Sequence, residues 1–256
     1  MILTPTTSPN DWRYLLADPA KHWSKGYSAM SLAYCWEEAR GFPRSVHTAL
    51  LAEPGLADLE LLLAIPEYKV DLPGGRAASQ NDLFVLARSP EELVVIMVEG
   101  KVNEPFGPLV SEWYTDPSPG KVERLKYLCE VLGLSEARVQ EVRYQLLHRT
   151  ASAVITASRF HATSAVMLVH SFSPTKEWFR DFDSFAGLYG LKPEADRVYL
   201  AGKPGGVNLF LGWVSDDGEY GEKAPGRPVS GTVVARKCQY CGHHEMGLRL
   251  RVGSLR

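Results

Sequence analysis

Three charged residues flank two strongly apolar runs of the chain, residues 83–87 and 93–98. Asp82 precedes the first run, and Glu99 and Lys101 follow the second. Two carboxylates that lie close together repel each other, and a divalent cation such as Mg²⁺ or Mn²⁺, which prefers oxygen ligands, relieves that repulsion. A neighbouring ammonium group can orient a water molecule or contact a phosphate. These groups together are what the metal-assisted hydrolysis of a phosphodiester requires.

The proximity of these groups depends on how the two runs pair. If residues 83–88 and 93–101 form an antiparallel hairpin around a four-residue turn, paired residue numbers sum to 181, and Asp82 lies directly opposite Glu99. Because side chains alternate between the faces of a strand, Asp82, Glu99 and Lys101 then share one face. In the competing interpretation, Asp82 is a solvated turn residue, while Glu99 and Lys101 form an ion pair at a sheet edge.

Both faces of the predicted hairpin are apolar, which places it in the middle of a covered sheet. The charged face also carries Phe84, Leu86, Val95 and Met97, and the other face carries Leu83, Val85, Val94, Ile96 and Val98.

The remaining patterns predict an α/β (α+β) fold, with a central mixed sheet and flanking helices. Helices are predicted over 27–40, 121–133 and 138–159 and near 176–189, strands over 59–72 and 164–172, and a late hairpin over 198–202 and 207–214. Three regions follow from composition: a main domain over 1–214, a linker over 215–231 and a small, locally basic tail over 232–256.

Asp82 at a strand start and Glu99-Gly100-Lys101 at the end of the next strand resemble the PD-(D/E)xK (restriction-endonuclease-like) nuclease superfamily. The resemblance covers residues 27–190, and the runs VEGKVNEPFG and RYQLLHRTASAV look like those of a bacterial family within it. Asn81 stands where the motif often has proline. The resemblance implies a restriction-endonuclease-like core, with Asp82 and Glu99 as ligands of Mg²⁺ or Mn²⁺ and Lys101 as the catalytic lysine.

A stripe of hydrogen-bonding residues lies on the predicted helix 138–159. Gln145, His148, Arg149 and Ser152 have the spacing i, i+3, i+4, i+7 and so share one side of the helix. In the superfamily this helix commonly lines the site, sometimes with glutamine followed four residues later by tyrosine, a place that Arg149 takes here. Two interpretations stay open: contact of Gln145, His148 and Arg149 with substrate, or a buried network that ties the helix to the sheet.

Other acidic residues are weaker candidates for ligands of the metal. Superfamily members often take a further ligand from the first helix, where Glu37 lies near the apolar face, although a solvated helix end also explains it. Glu60 and Glu67 on the preceding strand are comparable candidates.

The tail contains half of a zinc knuckle. Cys238-x-x-Cys241 is followed by Gly242, and His243 or His244 could supply a third ligand to a structural Zn²⁺. No second CxxC completes the set, so a free dithiol is the alternative.

Length, charge and composition limit the classes of function that fit the chain. The 256 residues carry a formal net charge of −2, four cysteines and no apolar run of membrane-spanning length. With no signal-peptide pattern at the start, we expect a cytoplasmic protein without a membrane partner, and a homodimer stays open. The sequence favours a Mg²⁺- or Mn²⁺-dependent nuclease acting on DNA. The alternatives are a non-catalytic module that binds nucleic acid or protein, and hydrolysis of another phosphate ester.

Overall fold

The computed structural model describes residues 6–24 and 26–216, together with the backbone of residues 232–237 and 244–249. The chain divides into two compact units, Met1–Glu222 and Lys223–Arg256. The boundary between these units falls within the predicted linker, residues 215–231.

A six-stranded mixed sheet organises the first unit, as predicted. Its strands are β1 (Glu60–Val70), β2 (Ser79–Arg88), β3 (Leu93–Lys101), β4 (Ser164–Ser171), β5 (Arg197–Gly202) and β6 (Asn208–Ser215). Their order is β1-β2-β3-β4-β6-β5; β3, β4 and β6 run parallel to one another, and the other neighbours pair antiparallel. Every residue of β4 is buried, because it lies between parallel neighbours and is covered on both faces.

Helices cover both faces of this sheet. They are α1 (Pro19–His22), α2 (Ser28–Ala39), α3 (Arg44–Leu51), α4 (Val110–Trp113), α5 (Pro119–Leu132), α6 (Tyr144–Arg159) and α7 (Phe179–Gly187), with 3₁₀ turns at Pro9–Tyr14, Pro54–Leu56 and Pro204–Gly206. The core on one face of the sheet includes side chains of α5, α6 and α7, and the core on the other includes those of α2 and α3. Among the residues that the structure describes, no helix is long and apolar enough to cross a membrane.

β2 and β3 pair in the predicted register. Leu83 lies opposite Val98 and Phe84 opposite Met97, so paired numbers sum to 181. Phe84 and Met97 belong to the core that includes α6, whereas Leu83 and Val98 belong to the core that includes α2. The prediction of a central hairpin covered on both sides is confirmed.

The predicted start of the long helix was wrong. Residues 138–143 precede α6, which begins only at Tyr144. The Val142 carbonyl accepts a hydrogen bond from the Val110 N–H at 2.9 Å, and Leu109 and Arg143 form an isolated β-bridge. This pairing uses backbone groups that a continuing helix would need, so α6 starts where the pairing ends.

The second unit contains one described hairpin. Its strands are β7 (Thr232–Lys237) and β8 (His244–Arg249), which pair antiparallel with Lys237 opposite His244. Of the predicted zinc ligands, Cys238, Cys241 and His243 lie outside the described residues, as does the side chain of His244. The zinc knuckle therefore stays a prediction.

Candidate functional site

Asp82, Glu99 and Lys101 form one cluster at the end of the β2–β3 hairpin. The Asp82 carboxylate accepts a hydrogen bond from the Gly100 N–H at 2.8 Å, and Lys101 Nζ donates to Glu99 Oε1 at 2.5 Å. The side chains of Glu99 and Lys101 are each 3% exposed, whereas that of Asp82 is 21% exposed. Asp82 is therefore the member of this set that faces the open side of the cluster.

The glycine between Glu99 and Lys101 lets a helix begin directly over the cluster. A Cβ atom at Gly100 would lie 2.9 Å from the Cβ of Ser28, the first residue of α2, and 3.4 Å from Asp82 Oδ2. The Ser28 N–H also donates to Glu104 Oε1 at 2.9 Å, which ties the same helix end to the loop after β3. The absence of a side chain at Gly100 thus leaves room for α2 to pack against the sheet.

Both carboxylate oxygens of Glu99 accept hydrogen bonds. Oε1 accepts from Lys101 Nζ and from Gln145 Nε2 at 2.7 Å, and Oε2 accepts from Arg149 Nε at 2.6 Å. Burial by itself would raise the pKa of Glu99, but the charges of Lys101 and Arg149 outweigh it and lower the pKa to about 2. Glu99 is therefore ionised in the folded chain, with its charge compensated on both sides.

Two residues of the predicted α6 stripe, Gln145 and Arg149, reach the cluster. Besides its bond to Glu99, Arg149 places Nη2 at 3.9 Å from Asp82 Oδ1. Burial lowers the pKa of Arg149, but the charges of the Glu99 and Asp82 carboxylates raise it by more than burial lowers it. The guanidinium therefore stays charged. These contacts form a network that ties α6 to the sheet, and both side chains also line a cavity beside it.

His148 and Ser152 make other contacts. His148 Nδ1 lies 2.8 Å from Ser79 Oγ, which in turn accepts from Arg149 Nη1 at 3.4 Å, and Ser152 Oγ donates to the His148 carbonyl at 2.8 Å. Burial and then the Arg149 charge hold the pKa of His148 well below its usual range. The geometry gives this imidazole a supporting position behind Arg149, and its contact with substrate stays a prediction.

A third carboxylate, Glu67 on β1, joins the cluster. The β1–β2 register pairs Tyr68 with Asn81 and so places Glu67 opposite Asp82. Glu67 has φ of 53°, a left-handed conformation that is uncommon for a non-glycine residue, and its Oε2 accepts from Gln80 Nε2 at 2.5 Å. Backbone strain of this kind concentrates at functional sites, where it costs about 1–3 kcal/mol.

The surroundings of Glu67 and Asp82 shift both carboxyl groups towards the protonated form. Burial, together with the Glu99 charge, raises the pKa of Glu67 to about 7. Burial and the charges of Glu99 and Glu67 raise the pKa of Asp82 well above its usual range, although Arg149 and Lys101 act in the opposite direction. Desolvated, mutually repelling carboxylates are a donor set that fits a hard divalent cation, whose binding would displace the protons.

Glu37 and Glu60 do not reach this cluster. Glu37 Oε1 accepts from Thr6 Oγ1 at 2.7 Å and from Trp12 Nε1 at 2.8 Å, which attaches the N-terminal segment to α2. Glu60 forms an exposed ion pair with Arg88 at 2.7 Å. The geometry therefore gives Glu37 a structural contact in place of the predicted metal contact.

A cavity of about 760 Å³ opens beside the cluster. The cluster lines part of this cavity, and residues within 16–22 and 26–29, before and at the start of α2, line more of it, together with the loop 103–105. The cluster members that line it are Glu67, Asp82, Lys101, Gln145 and Arg149. A small ligand in this cavity would meet two carboxylates and the cations beside them.

A second group of ligand-type residues lies near α2 on the other face of the sheet. Cys35, His170 and Asp216 place ligand atoms within 4.8 Å of one another. Trp36 Nε1, which can only donate, bonds to His170 Nδ1 at 3.1 Å, so the neutral imidazole carries its proton on Nε2. A metal bound at Nε2 would require the proton on Nδ1, which already accepts the hydrogen bond from Trp36. Asp216 Oδ2 lies 3.4 Å from that Nε2 and accepts from Ser45 Oγ at 2.8 Å, which makes this group a hydrogen-bonded centre.

One protein family matches most of the chain. Its model covers residues 5–218 and bears the description Domain of unknown function (DUF6946). The chain belongs to this family. No curated protein and no solved structure matches it. The matched range includes the whole cluster and ends before the tail, residues 232–256.

Proposed function

We propose that this chain is a divalent-metal-dependent nuclease that hydrolyses phosphodiester bonds in DNA. One observation carries the proposal: the repelling carboxylates of Asp82 and Glu67 line an open cavity together with the ammonium of Lys101. The resemblance of Asp82 and Glu99-Gly100-Lys101 to the PD-(D/E)xK superfamily supports the same chemistry. Magnesium or manganese is the cofactor that such oxygen donors favour.

Each residue has a role that its position permits. Asp82 and Glu67 would hold the cation, and Glu99 would join them by exchanging one of its present donors. A divalent cation supplies Lewis-acid stabilisation of the charge that develops on the phosphate and lowers the pKa of water. Lys101 would place its positive charge beside the attacked phosphate, while Arg149 keeps Glu99 in position through the bond at 2.6 Å.

The proposal is tested by incubating the chain with single- and double-stranded DNA and RNA in Mg²⁺, Mn²⁺ or EDTA. Wild type should cleave DNA with either cation and not in EDTA, and Asp82→Ala and Lys101→Ala should each lose about 100-fold or more of the rate. Lys126→Ala is the matched control, because Lys126 is an exposed lysine on α5 that does not line the cavity. Cleavage by Asp82→Ala at the wild-type rate would refute the site.

A second candidate function is a non-catalytic binding module. The observation in its favour is that Glu99 already has both oxygens satisfied by Lys101, Gln145 and Arg149 without a metal. Such a module would take up no Mg²⁺ or Mn²⁺ in calorimetric titration, and Asp82→Ala would be more stable than wild type. A nuclease would show metal uptake that Asp82→Ala loses.

A further inference from the structure

The part of the cavity lining that α2 contributes is fixed to the sheet. α2 begins at Ser28, whose N–H donates to Glu104 Oε1 at 2.9 Å, and Glu104 Oε2 accepts from the Val102 N–H at 3.1 Å. Ser28 also packs so closely on Gly100 that a Cβ there would be only 2.9 Å away. The cavity therefore cannot widen at this point without breaking contacts that hold α2 in place.

The size of the cavity limits what can reach Asp82 and Lys101. Its volume of about 760 Å³ lies within the ~300–1,000 Å³ of pockets that bind single small molecules. A pocket of this size has room for about one or two nucleotides of a strand. Enzymes that act on a single nucleotide take it out of the base stack, and a strand separated from its complement would bring a base and its phosphate into this cavity together.

The same part of the lining carries aromatic and hydrogen-bonding groups of the kinds that bind an unpaired base. The rings of His22 and Tyr27 lie with centroids 5.9 Å apart and tilted by 53°, both are half-buried, and both line the cavity. Aromatic side chains bind unpaired bases by stacking, whatever the base. Lys21, which is exposed, and Asn103 also line the cavity and offer donors to the adjoining backbone phosphate.

We propose that the cavity takes single-stranded DNA, with one base stacked on the ring of Tyr27 and the neighbouring phosphate directed to the cluster at Asp82 and Lys101. This inference rests on the proposed nuclease function for its cleavage outcome, but not for its binding outcome. Paired DNA is then a substrate only at frayed ends, gaps or overhangs.

Binding and cleavage are measured separately. Asp82→Asn prevents turnover, and fluorescence anisotropy in this background follows a short labelled single strand and the blunt duplex of the same sequence. The single strand should bind at least about 10-fold more tightly, and adding Tyr27→Ala should weaken its binding by about 10-fold or more. Tyr27→Phe keeps the ring and should stay within about twofold. Tyr14→Ala is the matched control, because Tyr14 is 76% exposed and is not part of the cavity wall.

Cleavage by wild type is compared on circular single-stranded DNA and on covalently closed duplex DNA. We expect the first to be cut and the second to stay intact. Equal binding of single strand and duplex, or equal loss of binding in Tyr27→Ala and Tyr14→Ala, would overturn the inference, as would efficient cutting of the closed duplex. Tyr27-dependent binding of the single strand without cleavage of any substrate would support this inference and refute the nuclease.

Discussion

Replacing Glu67 by glutamine removes one charge from the cluster and keeps the shape of the side chain. Burial raises the pKa of Glu67 from an ordinary value of 4.5 to about 7. Between these pH values the folded chain keeps a proton that the unfolded chain has lost, so the unfolding free energy of wild type falls as the pH rises. At about 1.4 kcal/mol per pH unit the upper limit is ~3.4 kcal/mol, and because Glu67 is partly exposed we expect ~1–3 kcal/mol.

The assay is urea unfolding followed by tryptophan fluorescence in EDTA, at pH 4.5 and at pH 8. Glutamine at position 67 carries no charge and can still accept the hydrogen bond from Gln80 Nε2. The unfolding free energy of Glu67→Gln, taken relative to that of wild type, should therefore rise by ~1–3 kcal/mol from pH 4.5 to pH 8. With Mg²⁺ added at pH 8, wild type should become more stable than Glu67→Gln, because the bound cation stabilises wild type and the variant lacks one of its ligands.

Glu60→Gln is the matched control, because it changes the same residue type on the same strand. The Glu60–Arg88 pair is on the surface, with side chains 63% and 57% exposed, so its loss should change the unfolding free energy by less than ~1 kcal/mol at either pH. An equal effect of Glu67→Gln at both pH values would refute the reasoning, because it would show that Glu67 is ionised without penalty.

Three other predictions concern the cluster and the tail. Gly100→Ala should lower the unfolding free energy by ~1–3 kcal/mol and weaken Mg²⁺ binding in calorimetry, because the added methyl group would press on Ser28; unchanged unfolding would show that α2 can shift freely. Arg149→Lys should destabilise the chain by about 2 kcal/mol or more in urea unfolding, since lysine cannot reproduce the bond of Nε to Glu99, and a neutral result would remove Arg149 as its anchor. Cys238→Ser should lower the zinc content in elemental analysis, and equal content in wild type would contradict the knuckle.

The register of the central hairpin was predictable from sequence because its turn is short. Only four residues, 89–92, connect β2 and β3, so the pairing of the strands is set almost entirely by the chain. No bulge interrupts the described pairing from Leu83 with Val98 to Arg88 with Leu93. Any irregularity there would have moved Asp82 relative to Glu99.

The position of Glu67 was not predictable in the same way. Eight residues, 71–78, connect β1 and β2, which is too long a connection to fix a register, and a bulge between Leu61 and Leu63 shifts the pairing further. Glu60 and Glu67 were therefore comparable candidates from the sequence alone. Only the folded sheet shows that Glu67 lies opposite Asp82 while Glu60 lies at the far end of the strand.

Glu37 illustrates a different limit. Its helical face was predicted from the apolar pattern of α2, but a pattern does not show which end of a helix meets the site. α2 contacts the cluster through its first residue, Ser28, and Glu37 lies nine residues further on, about 14 Å along the helix axis. Its carboxylate instead accepts hydrogen bonds from Thr6 and Trp12.

The balance of charge in the cluster gives the metal a second role besides activation. With all its acids ionised, the cluster carries three carboxylates, Glu67, Asp82 and Glu99, against the two cations Lys101 and Arg149. The raised pKa values of Glu67 and Asp82 show that this excess of negative charge is costly, whereas Glu99 is compensated by its own contacts. A singly charged phosphodiester would be repelled by the ionised cluster. Where Glu67 and Asp82 are ionised, one divalent cation reverses the sign of the local charge, so at such pH values the same cavity should bind phosphate only after the metal.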